Sequence, residues 1–409
     1  MKHIYIVDEH QSSKQNGVGT YIQQLLKCFE GSGHDVNLLS FNSDEAEFKV
    51  ERQPSYTEYH FPRCGNRGFL YLGSLSLSIL RLYVKDCSDN IFIINHFPCD
   101  KFLLVLKRQF PKSRTIFVIH DQCWCAPLLG DVNLFRRIMS AKRIPPKEYS
   151  FWHHIRETTS LEKHMYQIVD DVIALSSTTY ELLMDVYKVP EKKIHLIPNG
   201  LQLSTMKTSM NEVNAIRKKL GIDEKEVVLL YTGRTTKAKG IIPLLQAFDR
   251  AWLENRKLRL VIAGQVFSLN EFAQQTPNSN AHITYTGLLS KEQLAKWYQI
   301  ADIGILPSYT EQSSYTGIEM LAYGKLIVST DGNNLRDMFS NETSIIAEIG
   351  NQRMEQSITL VNSLFNAIKS ALAFDDKERY RLQERAREHF YQSYSFNNWK
   401  ATYSRLINK

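Results

Sequence analysis

The run from Pro307 to Glu319 carries two carboxylates, Glu311 and Glu319, around Gln312, Ser313, Ser314, Tyr315 and Thr316. An apolar stretch ends at Pro307 and a helical pattern starts near Ser314. The first amides of a helix have no partner inside it, and the helix dipole favours an anion there. Glu319 falls inside that helix among Ile318, Met320 and Leu321. A carboxylate in apolar company needs partners, and two vicinal ribose hydroxyls would serve both oxygens. Two solvated surface glutamates would show the same spacing. A second run places Arg234 and Lys239 between Gly233 and Gly240, again after an apolar stretch. A guanidinium forks two phosphate oxygens and an ammonium adds a point charge. Together they can offset the charge that builds on a departing diphosphate. A basic loop that merely caps a helix would look alike. The Walker spacing is missing, so this is not a P-loop.

Two sites lie upstream. Asn16, Gly17, Val18 and Gly19 follow the first apolar run and precede a helical pattern. The third glycine of a dinucleotide fingerprint is absent and the loop is long, which argues against a nicotinamide cofactor. His120, followed by Asp121, ends another apolar run. A histidine there is either structural or close to a ligand at the strand end.

These groups need a scaffold, and the chain alternates short β-branched runs with amphipathic helical patterns. Strands are expected at 3–8, 35–41, 91–95, 114–120, 171–175 and 194–198, with helices at 18–30, 69–85 and 178–187. After a turn through Asn199 and Gly200, residues 204–214 read as a polar linker. The pattern restarts with strands at 227–231, 258–263, 283–286, 303–307, 326–329 and 344–349, and helices at 241–253, 291–300 and 315–323. Strand–helix alternation implies right-handed crossovers and parallel sheets. The fold class expected is α/β, two doubly wound parallel-sheet domains facing across a cleft, with ligands beyond the carboxyl ends of the strands. Residues 126–160 interrupt the rhythm with Arg136, Arg137, Lys142, Arg143 and Lys147 among Phe135, Tyr149, Phe151 and Trp152. They read either as a solvated helical insertion or as an element that touches acceptor or membrane.

In this order and separation the motifs resemble the retaining glycosyltransferases of family 4, which have the GT-B fold. The resemblance covers nearly the whole chain. It is densest where Gly233, Arg234, Lys239 and Gly240, then Ala263 and Gly264, Tyr285 and Gly287, and the Glu311–Glu319 pair follow one another. It implies that Arg234 and Lys239 grip the donor diphosphate, that Glu319 holds the ribose and that Glu311 lies near the transferred sugar. It further implies that Ser313, Ser314, Tyr315 and Thr316 line sugar and phosphate through their backbone, with Gly233 and Gly264 at the same site. Gly287 and Leu288 would lie under the base. Gly17 and Gly19 would close over the donor from the other domain, with His120 near the sugar. The domains implied are 1–202 on the acceptor side and 203–390 on the donor side, with a last helix, 391–409, packing back on the first. Family members often have Gly-Phe-Gly after the first glutamate, whereas this chain has Gln312, Ser313, Ser314 and Tyr315. Those polar groups should reshape the sugar pocket.

The expected activity is retaining transfer from a nucleotide-diphosphate sugar, UDP-sugar ahead of GDP-sugar, to a glycan, lipid-linked sugar or peptide. A nucleotide-sugar epimerase or hydrolase, and a non-catalytic GT-B partner subunit, are the alternatives. The donor is a substrate, so no cofactor is expected. No Asp-x-Asp motif stands where a metal–diphosphate complex would need one, so no metal is expected either.

Composition agrees with two globular domains. The chain has 409 residues, 43% apolar and 23% charged, and a net charge of +7. That excess of base suits an anionic ligand or membrane surface and gives no support for a nucleic-acid partner. The six cysteines, Cys28, Cys64, Cys87, Cys99, Cys123 and Cys125, contain no Cys-x-x-Cys pair. Reduced thiols are the expectation. The N-terminus enters a strand directly, and the apolar stretch at 69–80 is shorter than the roughly 20 residues of a membrane span. The expected location is cytoplasmic, with peripheral membrane contact through the basic N-terminal domain.

Overall fold

A computed structural model describes residues 1–13, 16–63, 72–95, 100–203, 209–266, 268–350 and 356–409. The chain divides into two compact units, Met1–Gly200 with Phe396–Lys409, and Leu201–Ser395. The start of the helical pattern at 69–85, residues 204–208 of the linker, Cys64 and Cys99 lie outside the described residues.

The first unit holds the strands β1 (His3–Glu9), β2 (Asp35–Ser43), β3 (Lys49–Arg52), β4 (Thr57–Pro62), β5 (Asn90–Asn95), β6 (Arg114–Ile119), β7 (Asp171–Ala174) and β8 (Ile194–Leu196). They form one sheet in the order β3-β4-β2-β1-β5-β6-β7-β8. Every pair is parallel except β3–β4 at the edge. All six residues of β5 are buried. Strands covered on both faces read as continuous apolar runs, which is why the central ones are visible in the sequence. The β3–β4 hairpin, absent from the sequence reading, is half-exposed and reads as polar.

The second unit holds β9 (Val227–Thr232), β10 (Leu258–Ala263), β11 (Ile283–Gly287), β12 (Ile303–Leu306), β13 (Leu326–Thr330) and β14 (Ile345–Ala347). Their order is β11-β10-β9-β12-β13-β14, all parallel. Strand order therefore reverses between β9 and β12, where a doubly wound sheet opens its binding crevice. Helix Ile241–Glu254 leads from β9 to β10 and helix Tyr315–Ala322 leads from β12 to β13. The two connections run apart from the same seam.

Three expectations are corrected. The linker is not structureless up to 214, because Ser209 caps a helix, Met210–Lys219. The Ser209 hydroxyl accepts from the Glu212 amide at 3.3 Å and the Glu212 carboxylate accepts from the Ser209 amide at 2.7 Å, a reciprocal cap. The last helix does not run unbroken over 391–407. A π-type turn, Phe390–Tyr394, ends at Ser395, and helix Phe396–Ile407 follows. Ser395 is held extended by its bridge to Leu201, whose amide donates to the Tyr394 carbonyl at 2.9 Å. Residues 126–160 are helical but only partly solvated: Arg137, Lys142, Arg143 and Lys147 are exposed while the apolar faces are not. Helices Val132–Ser140 and Tyr149–Ile168 bury Phe135, Ile138, Trp152 and Ile155 in the core of the first unit, and Phe135 stacks on Trp124 at 4.5 Å.

Among the described residues no helix is long and apolar enough to cross a membrane. Cys28, Cys87, Cys123 and Cys125 are free thiols.

Candidate functional site

The sequence of the second unit converges its polar residues on the β9–β12 seam. The loop after β9 ends in a short 3-10 turn, Lys237–Lys239, capped by Gly240 in the left-handed region at φ 66°. A side chain at Gly240 would overlap the carbonyl oxygen of Pro307, so this glycine lets the two loops touch. They are then joined by the Tyr309 amide, which donates to the Ala238 carbonyl at 2.9 Å. The Lys239 ammonium lies 2.6 Å from Glu311 Oε1, and the Ser308 hydroxyl donates to the same oxygen at 2.8 Å. A lysine and a glutamate 72 positions apart in the sequence thus share one point in space.

Gln312, Ser313 and Ser314 are buried, and Ser314 caps helix Tyr315–Ala322 by accepting from the Gly317 amide at 3.3 Å. The first-turn amides of that helix face no i−4 carbonyl of their own. Thr316 donates to the Thr232 carbonyl at 3.4 Å, which docks the helix start on the end of β9. Arg234 is exposed beside this seam, and its guanidinium makes no hydrogen bond or ion pair with the described residues. Burial and the neighbouring Glu311 carboxylate push the Tyr231 phenol well up, and its hydroxyl donates to the Arg234 carbonyl at 2.5 Å.

Glycines line the adjoining strand ends. The Gly233 amide donates to the Ala263 carbonyl and the Gly264 amide to the Gly287 carbonyl, each at 3.0 Å. A side chain at Gly264 would strike the Gly233 carbonyl. Gly233, Gly264 and Gly287 therefore stand side by side at the ends of β9, β10 and β11, and Leu288 beyond them is 53% exposed. Glu319 points into an enclosed spot where the Tyr298 hydroxyl donates to Oε2 at 2.7 Å. Desolvation raises its acid to about 7, tempered by that hydrogen bond and by Lys291. The sequence reading foresaw a carboxylate in need of partners but missed Tyr298. The mixed polar and apolar helix Lys291–Ile300 gives no cue that its phenol reaches a carboxylate.

Also missed were the supports of Glu311. The loop after β13 holds it from the other side: the Glu311 amide donates to the Asn333 carbonyl at 3.1 Å and the Asn334 side chain donates to the Glu311 carbonyl at 2.5 Å. Asn334 sits at φ 66°. The consecutive asparagines after Gly332 were the available turn signal.

The first unit gathers its candidates at the ends of β1, β5 and β6. Asn16 caps helix Gly17–Phe29, its side chain accepting from the Val18 amide at 2.8 Å. Gly17 opens this helix and Gly19 lies tight against the Ser13 carbonyl. Tyr21 of the same helix meets His120 edge-on at 4.6 Å. His120 Nε2 lies 3.1 Å from the Asn95 side-chain oxygen.

The turn after His120 is anchored by Glu162. Its carboxylate accepts from the Cys123 amide at 2.6 Å, the Cys123 thiol at 3.2 Å and the Tyr187 hydroxyl at 2.6 Å. Burial raises the Glu162 acid to about 7 despite those donors. A raised acid binds its proton more tightly in the folded chain, so stability is greatest below the unfolded value of 4.5 and declines as pH rises toward 7. The decline from this group is at most about 3 kcal/mol. Glu162→Gln should shrink the loss of stability between pH 5 and pH 8 in urea melts. An undiminished loss would assign the pH dependence elsewhere.

No group of three His, Cys, Asp or Glu side chains among the described residues is placed to hold a metal ion.

Comparison with known proteins gives the family. The family model described as Glycosyltransferase Family 4 matches residues 15–205, and that of Glycosyl transferases group 1 matches residues 212–389. The lipopolysaccharide 1,2-N-acetylglucosaminetransferase of Salmonella typhimurium is 28% identical over 52% of this chain, and the match spans only 55% of that enzyme. The alpha-monoglucosyldiacylglycerol synthase of Streptococcus pneumoniae is 26% identical over 80% of this chain and 70% of its own. The crystal structure of Anabaena HepE in complex with UDP-glucose superposes with a TM-score of 0.71 at 14% identity, covering 100% of both chains. The paired domain models and the two doubly wound sheets agree: the chain belongs to the family 4 glycosyltransferases and has the GT-B fold.

Proposed function

We propose that this glycosyltransferase takes a sugar from a nucleotide-diphosphate sugar, with UDP as the carrier, and transfers it with retention to a hydroxyl of a glycan or lipid-linked acceptor. The observation that carries the reading is the meeting of Lys239, Glu311 and the Ser314 helix start at the seam where strand order reverses. Lys239, Arg234 and the first amides of helix Tyr315–Ala322 would receive the leaving diphosphate, whose charge grows as the glycosidic bond breaks. These groups supply the positive charge that a divalent cation would otherwise bring, so the reaction proceeds without a metal. Glu311, already neutralised by Lys239, stands beside the transferred sugar, and Glu319 holds the ribose. Exposed Leu288 and the open backbone at Gly287 suit a base lying flat. Ser313, Ser314, Tyr315 and Thr316 line sugar and phosphate. His120, Gly17 and Gly19 keep the sugar-side roles that the family resemblance gives them.

Retention follows the family, and the UDP carrier is supported by the fold shared with a UDP-glucose complex. The acceptor class is supported by relatives named for lipopolysaccharide and diacylglycerol substrates. The test is a thermal-shift screen against UDP, GDP and ADP, followed by turnover of the best UDP-sugar in excess EDTA. UDP should stabilise most, by about 2.7 kcal/mol at a hundred times its Kd. No response to any nucleotide would sink the reading, and loss of turnover in EDTA would remove its metal-free part.

Glu319 gives a sharper check. An ionised carboxylate accepts both ribose hydroxyls, so UDP affinity should fall as pH drops from 8 to 6, through the raised value of about 7. Glu319→Ala should bind UDP at least about tenfold more weakly, the loss of one charge-assisted contact. It should also show no such pH trend in calorimetry. Equal affinity would remove the ribose role.

A further inference from the structure

Tyr298 lies on helix Lys291–Ile300 and is 1% exposed, so its hydroxyl must find its partners inside the protein. It has two. It donates to Glu319 Oε2 at 2.7 Å, and the hydroxyl of Thr232, the last residue of β9, lies 3.0 Å away. An ionised carboxylate only accepts, so the single phenol proton belongs to the Glu319 bond. The Thr232 hydroxyl is then the donor in the other contact. Thr232 also lies 3.2 Å from the Thr316 hydroxyl, which donates to the Thr232 carbonyl. The end of β9, the first turn of helix Tyr315–Ala322 and helix Lys291–Ile300 thus meet in one chain of hydroxyls that finishes on Glu319. All of it belongs to the second unit. Among the described residues no other group donates to the Glu319 carboxylate.

We propose that Tyr298 is a positioning residue for nucleotide binding: its phenol, itself oriented by Thr232, pins Glu319 by Oε2 and presents the carboxylate as a fixed acceptor to the ribose hydroxyls. An unpinned glutamate would have its torsions ordered only when the ligand arrives, and ordering them beforehand removes that cost from binding. The bond also acts on charge. Burial favours the neutral acid of Glu319, and the phenol, which donates to the charged form, opposes it. The titratable groups that face Glu319 are Tyr298, Tyr323 just past its own helix, and Lys291 at the start of helix Lys291–Ile300. Burial and the Glu319 charge hold both phenols neutral, so neither competes for the negative charge. Lys291, which is exposed, also favours the anion. The Tyr298 ring has separate work, stacking on Tyr323 at 5.1 Å with 13° between the planes. A phenylalanine could stack in the same way. Only the hydroxyl reaches Glu319.

The inference rests on the ribose role of Glu319 in the proposed reaction, and its first test needs no ligand. Carboxyl-carbon NMR of the full chain labelled at glutamate, with Glu319 assigned by difference from Glu319→Gln, should give a midpoint of about 7. Tyr298→Phe keeps the stacked ring and removes the donor, so the midpoint should rise by about one unit. An unmoved midpoint overturns the proposal. Should that variant fail to fold, labelling tyrosine at Cζ decides. One resonance that persists in Tyr323→Phe should titrate with the Glu319 midpoint and lose that response in Glu319→Gln. If no tyrosine behaves so, the bond does not form in solution and the proposal is wrong. Calorimetry gives the second arm. A one-unit rise leaves fewer anions at neutral pH, so Tyr298→Phe should bind UDP roughly fivefold more weakly at pH 7 and recover most of that loss at pH 9. A deficit of equal size at both pH values is mere structural damage and overturns the proposal, as does wild-type affinity at both. Wild-type UDP affinity without a pH trend removes the ribose reading, and with it the purpose of the bond, whereas a risen midpoint in Tyr298→Phe still shows the bond itself.

Discussion

Replacing Lys239 with alanine is expected to lower kcat about a hundredfold at saturating donor, near 2.7 kcal/mol of transition-state stabilisation. Two losses combine. In the proposed reaction the ammonium no longer meets the negative charge of the departing diphosphate. In addition Glu311, whose Oε1 sits 2.6 Å from Lys239 Nζ and otherwise accepts only the Ser308 hydroxyl in the described structure, becomes an uncompensated anion where a phosphate must come. Arg234→Ala should cost less, about tenfold, because that guanidinium is exposed and supports no other group of the site. The two losses at Lys239 separate in the double variant Lys239→Ala with Glu311→Ala. If Lys239 served only to neutralise Glu311, the double variant would turn over as fast as Glu311→Ala alone. The expectation is that it is slower. A single Lys239→Ala variant retaining more than half the wild-type kcat would end the diphosphate assignment.

The second large effect is structural and arises at Gly240. Gly240→Ala should destabilise the second unit by about 3 kcal/mol or more and abolish the UDP response. Its φ of 66° costs an L-residue roughly 1–2 kcal/mol. The added methyl also meets the backbone oxygen of Pro307, which no rotamer change can move. Relief requires prying the β9 and β12 loops apart, and with them the Lys239–Glu311 pair. Gly221→Ala, just past helix Met210–Lys219 in the same unit, is the matched control. It has the same φ, 66°, but nothing within 4 Å of the added carbon. That variant should lose only the conformational part. Urea unfolding, with UDP thermal shifts on the same samples, separates the two costs. Gly240→Ala within about 1 kcal/mol of wild type and still responsive to UDP would show that the loop approach is not needed.

What the sequence made legible follows from burial. β5 and β12, buried along their whole length, are short apolar blocks between turn residues. The polar residues at the ends of β9 and β12 then stand out against those blocks, so Arg234, Lys239, Glu311 and Glu319 could be picked individually. Their pairing was not legible. Nothing in the spacing of Lys239 and Glu311 reveals that strand order reverses between them. The supporting residues were less visible still. Tyr298, Asn333, Asn334 and Asn95 act through one or two hydrogen bonds fixed by tertiary structure. The β3–β4 hairpin escaped because an edge exposed on one face has neither an apolar run nor a clean alternation. The Met210–Lys219 helix did carry its signal, Ser209 followed by Glu212, inside a stretch whose polarity suggested a linker.

The first unit is completed by residues that the ribosome makes only after the whole of the second unit. Helix Phe396–Ile407 lays Trp399 against Gly200 and Tyr403 against Tyr21 and Phe29, yet the whole of Leu201–Ser395 is made in between. At 5–20 residues per second that interval lasts on the order of ten seconds or more. Throughout it Tyr21 and Phe29 lack the aromatic partner that Tyr403 brings them. Tyr21 acquires its hydroxyl partner only once that stretch has been made, so the histidine turn it steadies waits on synthesis of the second unit.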